Sequence, residues 1–142
     1  MITLTDAQTI VATALAHARG ENMPPMSVAV LDAGAHLVAF AREDKSSLLR
    51  ERISRAKAAG ALNLGVGSRA LVQRAETHPH FFNALVGLTE GDLVPVPGGV
   101  LVRDEEGDII GAVGVSGFLP DSDEACAVAG IVAAGLTADP GE

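Results

Sequence analysis

From Pro97 to Gly117 the chain reads PGGVLVRDEEGDIIGAVGVSG, with six glycines in twenty-one residues. Two strand runs lie inside it, Gly99–Arg103 and Asp108–Val115, joined by Asp104-Glu105-Glu106-Gly107. Glycine weakens a strand and marks a place where something comes close to the backbone. The stretch therefore admits few architectures. It reads as a β-hairpin turned at Gly107. Gly111 and Gly114 keep the second strand's surface low, so a small-faced helix or a second subunit can press on it. Gly98-Gly99 and Gly117 remain as points where a ligand can approach.

The rest of the chain supplies the layers. Ser27–Leu31 and His36–Ala41 form a second hairpin, with Asp32-Ala33-Gly34 as the turn and Gly34 supplying positive φ. A first helix starts at an N-cap Thr5, with Gln8 as box partner and Leu4 as staple. It carries Ile10, Ala14 and Leu15 on one face and ends near Gly20, ahead of Pro24-Pro25. A second helix is capped by Ser46 or Ser47 and ends at Gly60 or Gly65. Leu49, Ile53, Ala56 and Gly60 form its stripe, and Lys57 borders it. SRALVQRAE and PHFFNALVGL read as short helices joined at Thr77-His78-Pro79, and Val94–Val96 as a short edge strand. The last helix lies in PDSDEACAVAGIVAAGL. Asp121 and Glu124 form its capping pair, and Ala125, Ala129, Gly130, Ala133 and Ala134 its small face. Short turns between neighbouring strands make the sheet mainly antiparallel. The fold class is α+β, one domain over 1–142, with helices covering the sheet.

Composition excludes several functions. Net charge is −8, which opposes binding to nucleic acid or an anionic membrane surface. The one basic cluster, Arg50, Arg52, Arg55 and Lys57, is interleaved with Glu51. The single cysteine, Cys126, rules out an intrachain disulfide and a cysteine-based zinc site, and a buried, inert thiol is expected there. The first twenty residues lack a basic leader region, so a cytoplasmic protein is expected. With four Phe and no Trp or Tyr, the core must be aliphatic side chains packed against Gly and Ala.

Four ordered blocks carry a resemblance: VAVLDAGAHLVAFAREDKSS, RAKAAGAL, PGGVLVRDEEGDIIGAVGVSG and DEACAVAGI. They resemble the GlcG/HbpS family, which includes the C-terminal domain of PduO-type proteins, from about Ser27 to Leu136. The resemblance implies an α/β/α arrangement, profilin-like, with a five-stranded antiparallel sheet flanked by helices. It also implies homo-oligomers such as octamers, and binding of haem or another tetrapyrrole or corrinoid. Two departures matter. Leu101 stands where the family pattern has proline, which bears on the pocket rim. The first residues do not read as the export signal of the secreted haem sensors, so an extracellular sensing role is not expected.

The candidate chemistry then falls into groups. Gly98-Gly99 forms either a backbone nest for a carboxylate, such as a haem propionate, or a bulged strand start. Lys57, in the family's Lys-Ala position, meets Asp32, Asp44 or a ligand carboxylate, or else snorkels to a surface acid. His78 and His80 are candidate metal or haem-iron ligands, with Thr77 as an oxygen alternative and Phe81 and Phe82 as apolar contacts. They equally suit a helix-start loop with exposed histidines, and two histidines alone make a weak zinc signal. His36 reads as a structural residue on the Val38 and Phe40 face, and Asp32 as a turn residue. Arg42 and Asp44 line a pocket mouth or form a surface pair. Ser116 is no nucleophile elbow, because Phe118 stands where the second glycine belongs. The expectation is an oligomer that holds haem near Lys57, Gly98-Gly99 and His78–Phe82. The alternatives are a small-molecule isomerase or lyase in the same cleft, with Lys57 or a histidine as acid–base, and an accessory oligomer with no ligand of its own.

Overall fold

The computed structural model describes all residues, Met1–Glu142. Helices are α1 (Leu4–Gly20), α2 (Leu49–Leu64), α3 (Arg69–Thr77), α4 (Pro79–Leu88) and α5 (Pro120–Ala133). Strands are β1 (Ser27–Asp32), β2 (Leu37–Arg42), β3 (Gly99–Arg103), β4 (Ile109–Ser116) and β5 (Thr137–Asp139). They form one sheet, ordered β2-β1-β4-β3-β5, and every neighbouring pair is antiparallel.

Alternation along the strands makes two cores. Val28, Val30, Val100, Val102, Val113 and Val115 face α1 and α5. Leu31, Leu101 and Ala112 face α2, against Ala58, Ala59 and Ala61. The result is the α/β/α sandwich, with α1 and α5 on one face and α2 on the other. A small satellite core of Leu71, Phe82 and Leu93 holds the α3–α4 hairpin to one side.

The glycines of the opening stretch now have a cause. A Cβ on Gly114 would overlap the Ser54 carbonyl, and one on Gly99 would overlap the Lys57 carbonyl. The backbone of α2 lies directly on β3 and β4, closer than any side chain allows.

Local readings shift in several places. Helix α1 is capped by Thr3, whose hydroxyl accepts from Asp6 N–H at 3.0 Å, and Asp6 completes the box; Thr5 and Gln8 lie inside the helix. Neither serine caps α2; Leu48 precedes it, and Ser46 is buried against the Ser27 hydroxyl at 3.0 Å. The helix runs through Gly60 and ends at Gly65, with φ of +70°. Its inward face is rotated from the expected stripe. Leu49 is exposed, whereas Ser54, Lys57, Ala58 and Ala61 are buried.

In the first hairpin the left-handed residue is Ala35, not Gly34, and His36 sits in the turn with an exposed side chain, not in the core. Val94–Val96 forms no strand; the fifth strand is β5, paired with β3. Leu101 is buried in the middle of β3, away from any pocket rim. On α5, Ala125 and Ala133 point outward, and the buried face is Asp123, Cys126, Ala127, Gly130 and Ile131.

Candidate functional site

Lys57 is the most buried cation, at 2% exposure. Its Nζ donates to Asp123 Oδ2 at 2.9 Å and to the Val115 carbonyl at 3.0 Å. Burial pushes the ammonium's pKa below its ordinary value, and the Asp123 charge opposes that shift. The other Asp123 oxygen accepts from the Phe118 N–H at 3.0 Å. One carboxylate thus ties α2 to the entry of α5. Asp123 sits in the first turn of that helix, where negative charge is favoured. The expected partners, Asp32 and Asp44, play no part.

Gly98 and Gly99 adjoin this pair. Gly98 has φ of +122°, and its carbonyl accepts from Val115 N–H at 3.0 Å. The Gly99 N–H donates to Ser68 Oγ at 2.8 Å, and its carbonyl accepts from the Ser68 N–H at 2.8 Å. The Gly99 amide is therefore already engaged by protein. Lys57, Gly98 and Gly99 stand together as expected, but in a closed internal network.

The histidine segment lies elsewhere, on the α3–α4 hairpin. A cleft of about 490 Å³ is lined by Arg69, Arg74, Gln73, Thr77, His78 and Glu142, among others. Arg69 is held by Asp121 and by Glu124 at 2.9 Å, and those bonds push its pKa up. This is where the expected capping pair of α5 goes. Arg74 makes no ion pair, so its guanidinium is free. Thr77 Oγ1 donates to the Gln73 carbonyl at 2.8 Å, which leaves its lone pairs available.

His78 ends α3 and precedes Pro79, with an exposed side chain. Beyond it, Phe82 anchors α4 in the satellite core. Phe81, Ala84 and Leu88 stay exposed at helical spacing, with Phe81 at 59% and Leu88 at 80%. His78, at the junction of the two helices, also lines the cleft. His80 is exposed in the first turn of α4 and does not line the cleft. No three His, Cys, Asp or Glu side chains converge on a point that suits a metal ion.

A family model described as haem degrading protein HbpS-like matches residues 2–132. The chain belongs to the HbpS-like family. Solved structures share the fold. The PduOC:heme complex is 21% identical over 96% of each chain, with a TM-score of 0.85. The Klebsiella pneumoniae protein ORFY is 26% identical over 94% of this chain and 90% of its own, with a TM-score of 0.86. HbpS itself is 23% identical over 92% and 88%, with a TM-score of 0.79. No curated protein matches the sequence. The donor set of the α3–α4 hairpin suits the group named in this HbpS-like family's description: an imidazole, an unpaired guanidinium and an exposed apolar face. No helix of this HbpS-like chain is long and apolar enough to cross a membrane.

Proposed function

We propose that this HbpS-like protein binds haem on the α3–α4 hairpin, with His78 toward the iron and Arg74 toward a propionate. The observation that carries the reading is the adjacency of three chemistries. A free guanidinium lines the cleft, an exposed imidazole stands at the helix junction, and Phe81, Ala84 and Leu88 continue from it as an unpartnered apolar face. Haem presents the complementary order of carboxylate, metal and flat apolar ring. Arg74 matters because the chain carries a net charge of −8, and Glu142 at the same cleft opposes an anion. Thr77 supplies an oxygen beside His78, and His80 and Phe81 border the ring. Lys57 and Gly98-Gly99 hold the frame on which the hairpin sits, through Ser68. Bound haem supplies one-electron and oxygen chemistry. This chain's residues bind it, orient it and cover one face.

We also propose that the protein self-associates as a homo-oligomer. Exposed Leu48, Leu49, Phe118 and Leu119 are surface that a second copy can cover. An isomerase or lyase with Lys57 as base is disfavoured by its bond to Asp123.

Haemin added to the purified protein and followed by absorbance should give a saturable Soret shift. His78→Ala should alter the position of that band, and Arg74→Ala should weaken affinity about tenfold, as for a lost charged hydrogen bond. An unsaturable signal in the wild type would overturn the proposal.

A further inference from the structure

A second hollow lies on the opposite hairpin, beside the β1–β2 turn. It measures about 620 Å³, larger than the α3 cleft, and shares no residue with it. Ile2 and Ile110 form its buried floor, at 4% and 8% exposure, and Val38, Ile109 and Ala33 extend the apolar wall. Asp32 and His36 are its polar groups. An apolar hollow of this size with a few converging polar groups is the usual form of a small-molecule site.

The turn arranges that polar edge. Asp32 Oδ1 accepts from the Gly34 N–H and the His36 N–H, both at 2.9 Å, and lies 3.3 Å from His36 Nδ1. Those backbone bonds hold the Asp32 carboxyl below its ordinary pKa, so it stays charged. The imidazole lies across Gly34, where a Cβ would come within 3.0 Å of its Cε1. His36 Nδ1 stands beside the carboxylate, and Nε2 is the ring nitrogen with no protein partner. A fixed negative charge beside it disfavours an anionic guest. Only one imidazole and one carboxylate converge, too few for a metal set.

We infer that this hollow is a second ligand site, for a small neutral molecule with an apolar body and one hydroxyl donor, of the phenol class. The hydroxyl donates to His36 Nε2 and the ring lies on Ile2, Val38 and Ile110. The site is independent of haem binding and stands or falls separately from it.

The test is a titration of the labelled protein with 4-ethylphenol, followed in amide nitrogen–proton correlation spectra. Saturable shifts are expected at Ala33 to His36, Val38 and Ile110. His36→Phe keeps a ring at a side chain that is 82% exposed, so the fold is retained. It should weaken binding about fivefold, as for one lost hydrogen bond, and 4-ethylanisole should lose as much in the wild type. Absent or unsaturable shifts, or equal affinity in His36→Phe, would overturn the inference. Haemin should leave the 4-ethylphenol shifts in place. If haemin displaces the phenol, the hollow belongs to the tetrapyrrole and the second site is refuted.

Discussion

Replacing Lys57 with methionine tests the internal frame most severely. Methionine keeps the length and apolar character of the stem but removes the ammonium. Asp123, at 1% exposure, is then left charged with only the Phe118 N–H as partner. Breaking a buried pair from one side costs about 3–5 kcal/mol, mostly from the uncompensated charge. At this chain length that is a fall in Tm of roughly 12–20 °C. The double variant Lys57→Met with Asp123→Asn buries no charge and keeps the acceptor for Phe118. It should therefore be at least about 2 kcal/mol more stable than Lys57→Met alone. The chain has no Trp or Tyr, so the assay is urea unfolding by circular dichroism, at one fixed protein concentration because association shifts apparent stability. A loss below about 1 kcal/mol for Lys57→Met, or a double variant as unstable as the sum of the singles, would refute the reasoning.

Other consequences follow from packing and burial. Gly114→Ala forces a methyl against the Ser54 carbonyl, backbone against backbone, and should cost about 3 kcal/mol or prevent folding; Gly87→Ala, in the exposed part of α4 with nothing within 4 Å, should be neutral or stabilising by up to about 1 kcal/mol in the same unfolding assay. Burial pushes the Cys126 thiol up to about 11, so a thiol reagent at pH 8 should react only as the protein unfolds. The folded state resists forming that thiolate while the unfolded chain forms it from about pH 9. Stability should therefore fall as pH rises from about 9 to 11, by up to about 1.4 kcal/mol per unit from this group, and Cys126→Ala should remove that slope.

The sequence was most legible where periodicity and glycine chemistry agreed. Both hairpins and the α+β class could be read from alternation and turn residues, while the α/β/α layering came from the family resemblance. The low surface expected at Gly114 is the place where α2 rests on the sheet. What escaped has physical causes. Strand β5 is three residues long and half exposed, too short for any alternation to register. Close packing, not apolar character, decides the face of α2. The helix turns Ser54 and Lys57 inward and leaves Leu49 out, since small residues let its backbone reach the strands. Lys57 was recognisable as a polar group near the core, but its partner lies 66 positions away, in the first turn of α5. Asp121 and Glu124 looked like caps and instead hold Arg69. The grouping of Lys57, Gly98-Gly99 and His78–Phe82 into one cleft divides in space into an internal frame and an open hairpin. Arg74 carried no local signal at all, because an unpaired guanidinium is visible only once every ion pair is placed.

Haem on the α3–α4 hairpin can be located by its effect on nearby amides. Ferric haemin broadens the amide signals of residues near its iron, so the loaded protein reports the site directly. Signals from Thr77 to Phe82 should disappear on loading, while those from Asp32 to His36 and around Lys57 persist. Loss of the Asp32–His36 signals with an intact Thr77–Phe82 segment would contradict this placement, as would a spectrum that haemin leaves unchanged.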